Sequence, residues 1–528
     1  MQTIDLVSGS LSRSAQVQKP TVASPKGVVV AQNRAAAEIG AEAMRRGGTA
    51  IDAVVATGMA LGVVEPWMSG LAGGGALLVR EPDGSVWGVD FGMVAPGDLD
   101  PADYPVVGGA DADLFGWPKV AEDRNVMGAS AVAVPGMVDG LAVAHARGGR
   151  RPWAELLEPA VALAKRGMEV DWFTFQVIAV AAQELERFAD TARLFLPGGR
   201  PAQPPVGVSG PGRRFLPMPA LAGTLRALAS EGPRSFYEGG LARRIVGELR
   251  AAGSRISEED LATYHARVIE PERSAHGSWE VLTVPGLNGG PTLQRALGLL
   301  RARGVASTAD EPALFVAYAE ALLQAWEERL TSLGAGRRAD PPDGSTTHVC
   351  AVDSEGRVVT HTQTLLSLFG SRLLLPDTGL LMNNGIMWFD PTPGRANSLA
   401  PGRRPLANLC PALLRRGDEA VALGGAGGRK IIPAVMQIAS FLIDRELDLD
   451  EALQRPRIDV SGLRRIVADR RLSKATLQAL AAVKETAVAD RTTLPTHFTI
   501  ASAAAWTGKR AEGVSEPHHP WADAVAAG

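Results

Sequence analysis

Two β-favouring runs joined by a short polar turn constrain the fold of this chain more than any other stretch. The runs are residues 346–353 and 358–365, rich in threonine and valine, and the turn between them reads Asp-Ser-Glu-Gly. Such a pair of runs around an Asp/Gly turn predicts a β-hairpin. Its first strand begins on paired threonines, directly after a Pro/Asp/Gly loop at residues 341–345.

The position of Thr346 suits a chain that cuts itself. Its hydroxyl would attack the carbonyl of Ser345, the peptide bond would break, and the freed Thr346 amine would become the base for its own hydroxyl. A free α-amine has a pKa of roughly 7.7–8.0, so no histidine is needed as the base near neutral pH. A strand that starts Thr-Thr is also ordinary in a core, so the residues alone leave a purely structural hairpin open.

Further motifs after this stretch suggest a family for the chain. Asp-Gly-Ser-Thr-Thr-His at 343–348, Asn-Asn at 383–384, Gly-Arg-Arg-Pro-Leu at 402–406 and Gly-Gly-Ala-Gly-Gly at 424–428 resemble the small subunit of the γ-glutamyltranspeptidase family. The resemblance implies an α/β (α+β) fold, the four-layer αββα sandwich of the N-terminal nucleophile hydrolases, with a mostly helical part packed around it. It also implies a proenzyme that cuts itself into a large subunit (26–345) and a small subunit (346–528) sharing one core, after a flexible N-terminus (1–25).

The resemblance also assigns catalytic roles. Thr346 is the implied nucleophile, Ser345–Thr346 the processing bond, and Thr364 the residue bonded to the nucleophile's hydroxyl. Gly427 and Gly428 match the pair whose backbone N–H groups form the family's oxyanion hole, and donors of this kind are worth about 3–4 kcal/mol in the transition state. Without the resemblance, Thr364 is a β-favouring threonine and the glycine pair a tight turn before a helix.

The substrate pocket departs from the family. The arginine that grips the substrate's α-carboxylate is Gly92 here, and the asparagine after the second threonine is Leu366. The family's Asn-Asn-Gln-x-x-Asp and Ser-Ser runs are also altered. The residues expected to form the rebuilt pocket are Gly92, Leu366, Asn384, Gly385, Trp388, Ala407 and Asn408. A pocket without guanidinium and carboxylate does not offset the desolvation of a zwitterionic head group, so we expect a smaller, more apolar pocket.

Relatives of the family with other substrates set the range of expectations. Cephalosporin acylases act on glutaryl or similar amides, oxamate amidohydrolases act on a very small amide, and some biosynthetic members act on a C–C bond. Four bases flank the matched motifs and are candidates to meet a small carboxylate, although each also fits a structural or solvated role: Arg372, Arg404, Arg429 and Lys430.

Composition excludes several other classes. Hydrophobic residues make up 46% of the 528-residue chain, and the net charge of -3 gives no reason to expect nucleic acid or an anionic membrane. Two cysteines exclude a disulfide framework and lack metal-type spacing, so no metal or cofactor is implied. The polar residues 1–19 lack a signal peptide's apolar region, and no run is long enough to span a membrane. We therefore expect a cytoplasmic protein.

Local patterns add three expectations. Residues 50–64 are expected to form a helix capped by Thr49, and the glycines at 70–75 indicate close backbone packing, not a phosphate loop. Residues 503–528 are interpreted as a polar tail that includes His518 and His519, with Trp506 and Trp521 as anchors.

Three functions remain open at this point. The first is a self-processing threonine amidohydrolase that cleaves a small non-γ-glutamyl amide and works as a heterodimer of its two fragments, or as a higher oligomer. The second is a genuine γ-glutamyl hydrolase or transferase acting on glutathione-like substrates. The third is an uncleaved, non-catalytic relative that serves as a scaffold.

Overall fold

The computed structural model describes residues 3–5, 12, 14, 17–110, 115–205, 212–304, 309–334, 345–492, 494 and 496–528. In this part of the chain, two antiparallel seven-stranded sheets form the centre. The first sheet contains, in spatial order, Arg267–Ile269, Val86–Phe91, Gly74–Arg80, Val358–Leu366, Ser345–Asp353, Gly27–Ala31 and Asp523–Ala526. The second contains Glu272–His276, Trp279–Thr283, Ala412–Arg416, Glu419–Ala426, Ile500–Trp506, Ala511–Ser515 and Val22–Ser24.

Helices cover the outer faces of both sheets. On the first sheet lie Arg34–Arg45, Ala50–Val64, Met137–Gly148, Trp153–Arg166, Trp172–Leu185, Ala189–Phe195, Pro219–Glu231, Gly239–Ala251 and Glu258–Ala262. On the second lie Gly290–Ala302, Glu311–Ser332, Ile431–Ile443, Leu449–Gln454 and Lys474–Val483. Smaller sheets pair Thr3–Asp5, Thr486–Ala489, Ile466–Asp469 and Ile458–Asp459, Val106–Ala110 with Pro118–Val120, and Met168–Glu169 with Phe215–Leu216.

Three hydrophobic cores separate the layers. Alternate residues of a strand point to opposite faces, so Val29 packs under the first helical layer while Val28 and Val30 pack between the sheets. Likewise Val421 faces the second helical layer and Ala422 faces the other sheet. Both sheets are therefore buried on both faces, and the predicted four-layer αββα sandwich is confirmed.

The predicted hairpin forms the middle of the first sheet. We call strands Ser345–Asp353 and Val358–Leu366 the central hairpin; it lies between Gly74–Arg80 and Gly27–Ala31. Strands from before and after the Ser345–Thr346 bond therefore pair with each other within one sheet. They also pair with each other in the second sheet, where Trp279–Thr283 pairs with Ala412–Arg416.

The helix expected at 50–64 is confirmed, because Thr49 and Asp52 form a reciprocal capping box at its start. The polar tail expected at 503–528 is wrong: Ala511–Ser515 and Asp523–Ala526 are strands of the two main sheets, and His519 is buried. Val22–Ser24 is also a strand, which differs from the flexible segment expected at 1–25. Among the described helices, none is both long and apolar enough to cross a membrane.

Candidate active site

A β-bulge places Thr346 opposite two residues of its partner strand. Ser345 pairs with Leu366 and Thr347 pairs with Gln363, so the two residues between them on the second strand face Thr346 alone. Leu366 has a φ of 89°, in the left-handed region that a leucine rarely adopts. The bulge therefore interrupts the regular ladder at the proposed nucleophile.

Two hydroxyls converge on the carbonyl oxygen of Ser345. Thr346 Oγ1 and Thr364 Oγ1 each donate to it at 2.6 Å, and the two hydroxyl oxygens lie 3.3 Å apart. The Leu366 N–H donates to Thr364 Oγ1 at 2.8 Å and so orients that hydroxyl toward the carbonyl. Thr346 is only 4% exposed. The Ser345–Thr346 bond thus carries a polarised carbonyl in a site that excludes most water; residues 341–344 of the preceding loop lie outside the described part of the chain.

His348 is buried and contacts two threonines of the partner strand. Its Nδ1 lies 2.8 Å from Thr362 Oγ1, and its Nε2 lies 3.2 Å from Thr360 Oγ1. Burial, with a smaller effect of His361, lowers the pKa of His348 to about 3, so the ring stays neutral. A Cβ on Gly424 would lie within 2.6 Å of the imidazole, so the ring packs directly on the second sheet.

The predicted oxyanion glycines follow the strand that carries Gly424. Gly427 and Gly428 follow strand Glu419–Ala426 and have φ values of 140° and 60°, a region that favours glycine. The first helical turns of Ile431–Ile443 begin just beyond them. Their role as oxyanion donors stays a prediction.

The glycine loop expected to allow close packing does so beside Thr364. A Cβ on Gly73 would lie 2.4 Å from the Thr364 carbonyl oxygen. The Gly73 carbonyl in turn accepts a hydrogen bond from the Gly136 N–H at 2.8 Å. Backbone of the large fragment therefore lies against the proposed catalytic strand.

Three of the predicted pocket residues are buried in an apolar setting. Leu366, Trp388 and Ala407 belong to the hydrophobic core between the sheets. Gly385 packs against another residue of this core, since a Cβ there would meet Ala133 at 2.8 Å. Their place in a substrate pocket stays a prediction.

The two asparagines of the predicted pocket, Asn384 and Asn408, are held by internal hydrogen bonds. Asn384 Oδ1 accepts from the Ser367 N–H at 3.0 Å, and its Nδ2 donates to the Val126 carbonyl at 3.0 Å. Asn408 Oδ1 accepts from Arg329 at 3.1 Å. Arg329, which the sequence did not single out, also donates to the Ala407 carbonyl at 2.7 Å, and burial lowers its pKa to about 9. Its only sequence signal is a basic residue on the buried face of an amphipathic helix.

Arg404 lies beside Gly92. A Cβ on Gly92 would come 3.4 Å from Arg404 Nη1, which donates to Asp90 Oδ1 at 3.0 Å. The pair borders a cleft of about 990 Å³ that Tyr264 and Arg403 also line. A guanidinium from another part of the chain therefore stands next to the position where the expected arginine is missing.

The other three candidate bases bond to the protein's own framework. Arg372 pairs with Glu184 at 2.7 Å, Arg429 donates to the Ser461 carbonyl at 2.5 Å, and Lys430 donates to the Thr496 carbonyl. Burial lowers the pKa of Arg429 to about 10. Within the described ranges, the His, Cys, Asp and Glu side chains form no cluster that would hold a metal ion.

Glu65 is a second residue that the sequence analysis missed. It ends the apolar helix Ala50–Val64, is fully buried, and accepts a hydrogen bond from Thr347 Oγ1 at 3.3 Å. The signal was a single acidic residue closing an otherwise apolar helical run.

The chain is similar to several known proteins. The sequence matches the profile described as gamma-glutamyltranspeptidase over residues 36–341 and 324–526. It is 35% identical to the acylase ACY 1 proenzyme of Pseudomonas sp. (strain SE83) over 487 residues, 84% of each chain. It is 28% identical to the glutathione hydrolase proenzyme of Bacillus subtilis (strain 168), covering 87% of this chain and 86% of that one. The crystal structure of cephalosporin acylase from Bacillus halodurans shares the fold, with a TM-score of 0.84, 23% identity and 99% of each chain covered.

Proposed function

The chain belongs to the gamma-glutamyltranspeptidase family of N-terminal nucleophile hydrolases, and from this premise we propose that it cuts itself at Ser345–Thr346 and then hydrolyses a small acyl amide with Thr346. The observation that carries the proposal is the pair of hydroxyls, Thr346 and Thr364, each 2.6 Å from the Ser345 carbonyl oxygen.

Self-cleavage would proceed by an N-to-O acyl shift. Thr346 Oγ1 attacks the Ser345 carbonyl carbon, the C–N bond breaks, and an ester joins Ser345 to the Thr346 oxygen while the Thr346 nitrogen takes the proton. The Thr364 hydroxyl stabilises the charge that develops on the carbonyl oxygen. Water then hydrolyses the ester, which leaves a Ser345 carboxylate and a free Thr346 amine and hydroxyl.

The same groups would then serve turnover. The Thr346 amine accepts the proton of its own hydroxyl as the oxygen attacks a substrate amide, and it returns the proton to the departing amine. Water cleaves the resulting acyl-enzyme. The backbone at Gly427 and Gly428 is the proposed site for the developing oxyanion.

We propose an acyl group without the γ-glutamyl zwitterion. The apolar character of Leu366, Trp388 and Ala407, which we predict to line the pocket, supports this, because an α-amino and α-carboxylate pair would lose its hydration there without compensation. The 35% identical relative is named an acylase, whereas the glutathione hydrolase of B. subtilis is 28% identical.

A γ-glutamyl substrate is the second candidate, and one observation favours it. Arg404 places a guanidinium beside Gly92, at the edge of an open cleft. If it releases Asp90 to bind a carboxylate, the lost arginine is replaced from a distant part of the chain.

Both fragments are proposed to remain together as a heterodimer after cleavage. Strands from both sides of the cut pair with each other in each main sheet, so the cut alone exposes no interface. Both relatives are named as proenzymes, which supports processing in this family.

The first test is the intact mass of wild type beside Thr346→Ala. We expect two wild-type fragments that meet at Ser345 and Thr346, and a single Thr346→Ala chain, while Thr346→Ser retains cleavage. A single uncut wild-type chain would remove the catalytic amine and overturn the mechanism.

The second test compares anilides of γ-glutamate with anilides of simple aliphatic and dicarboxylic acids, using Thr346→Ala as the blank. We expect the non-γ-glutamyl anilides to be the better substrates by kcat/KM. Faster turnover of the γ-glutamyl anilide would favour the second candidate, and Arg404→Ala would then be expected to raise its KM.

A further inference from the structure

A short turn of the large fragment holds the residues on both sides of Thr346. This turn, residues 65–68, follows the apolar helix Ala50–Val64; we call it the clamp. Ser345 Oγ donates to the Trp67 carbonyl at 2.6 Å, and Thr347 Oγ1 donates to Glu65 at 3.3 Å. Ser345 and Thr347 are the two neighbours of the proposed nucleophile.

The clamp also binds the second strand of the central hairpin at the bulge, and the chain just after that strand. The Leu365 N–H donates to the Met68 carbonyl at 3.2 Å, and the Phe369 N–H donates to the Trp67 carbonyl at 2.9 Å. One turn therefore fixes both strands at the point where their own ladder is interrupted.

A glutamate at position 65 is unfavourable for folding because the site is buried. It is fully buried, and its Oε2 has no hydrogen-bond partner among the described residues. Burial raises the pKa of Glu65 to about 8, against a smaller opposing effect of the Thr347 hydroxyl, so the carboxyl is mainly neutral near pH 7. A buried polar group with one weak partner is unfavourable for folding. An apolar residue would pack here at lower cost, which indicates a role other than stability.

We propose that the clamp positions the Ser345–Thr346 bond for self-cleavage and that Glu65, acting through Thr347, is a positioning residue for this step. The inference rests on the proposed self-cleavage. Because Thr346 faces two residues, the ladder does not fix its rotation about the strand. Attack requires the reacting atoms to be held at near-contact distance, and a displacement of about 1 Å costs on the order of 100-fold in rate. The hydrogen bonds to Ser345 and Thr347 supply that restraint.

The test measures first-order self-cleavage of the full chain after cell-free synthesis, with labelled protein sampled on denaturing gels. We expect Glu65→Ala and Thr347→Val to slow cleavage roughly 10-fold each, as one lost hydrogen bond allows. Glu65→Gln keeps a neutral acceptor and is expected to cleave within about threefold of wild type. The double variant Glu65→Ala/Thr347→Val is expected to be no slower than either single variant, because both remove the same contact.

Met59→Ala is the matched control, because Met59 is buried on the helix Ala50–Val64 and lies outside the clamp. It is expected to lower stability to urea without slowing cleavage. Cleavage at the wild-type rate in both Glu65→Ala and Thr347→Val would refute the proposed role of the clamp. Cleavage of Glu65→Gln as slow as that of Glu65→Ala would also refute it. If wild type itself does not cleave, the proposed function fails instead.

Discussion

Replacing Thr364 with valine removes one of the two hydroxyls on the Ser345 carbonyl and keeps the shape of the side chain. The hydroxyl lies 2.6 Å from the oxygen that gains negative charge when Thr346 attacks. Thr364 and Thr346 are 1% and 4% exposed, so water does not readily replace the lost donor. A single donor in such a site is worth about 3–4 kcal/mol, and we expect Thr364→Val to slow self-cleavage by about 10²–10³.

The assay is the same pulse of cell-free synthesis, followed by the fraction of uncut chain over time. Thr364→Ser keeps a hydroxyl and is expected to retain cleavage. Thr362→Val is the matched control, because Thr362 lies two residues earlier on the same face and contacts His348 instead of the carbonyl. It is expected to cleave at close to the wild-type rate if it folds, which resistance to protease reports.

Two results would refute this reasoning. Cleavage of Thr364→Val within about threefold of wild type would mean that the contact contributes under 1 kcal/mol to the barrier. Equal slowing by Thr362→Val, in protein that resists protease, would assign the loss to the strand as a whole.

Stability and packing give three more tests. Burial raises the pKa of Glu65 from 4.5 to about 8, so the folded chain keeps a proton that the unfolded chain loses above pH 4.5. In the uncut Thr346→Ala chain, Glu65→Gln is therefore expected to gain stability to urea relative to its parent as the pH rises from 5 to 7.5, by at most about 1.4 kcal/mol per pH unit. A difference in unfolding free energy that stays constant with pH would contradict this. Glu516 contacts two buried arginines, so Glu516→Gln is expected to lower the unfolding free energy by about 3–5 kcal/mol in the same urea assay. Glu512→Gln, at a partly exposed ion pair, is expected to lower it by less than about 1 kcal/mol. Equal losses in the two variants would contradict the argument from burial. Gly73→Ala would place a Cβ 2.4 Å from the Thr364 carbonyl oxygen and is expected to slow self-cleavage at least about 10-fold on labelled-chain gels; an unchanged rate would show that the loop yields.

Local signals made the central hairpin and the helix Ala50–Val64 predictable. The hairpin strands differ from the predicted ones by one residue at two ends, because β-branched residues and the Asp/Gly turn act over short distances. The strands near the C-terminus carried no comparable signal. Ala511–Ser515 and Asp523–Ala526 are short and consist mainly of Ala, Gly, Glu and Asp, which are depleted in strands. Their partners lie far away in the sequence, so only the assembled sheets reveal them.

The site divides in the same way. The residues of the processing bond and the glycine pair were visible as motifs, and their family resemblance suggested roles. The contacts of Arg404 with Asp90 and of Glu65 with Thr347 span 314 and 282 residues. Neither pair has a motif of its own, because the geometry of the two sheets alone brings its members together.

The pairing of strands from the two fragments within each main sheet has a consequence for refolding. Before the cut, the chain finds its partners within one molecule, and its folding rate does not depend on protein concentration. After the cut, strands that pair across the boundary between the fragments must find their partners by collision, so recovery from denaturant becomes second-order and the apparent stability rises with concentration. Mature protein that is unfolded at low concentration is therefore expected to recover poorly where its uncut precursor recovers well. Only the uncut precursor has the covalent link that keeps all partner strands in one molecule, and self-cleavage removes this link in the step that gives the enzyme its activity.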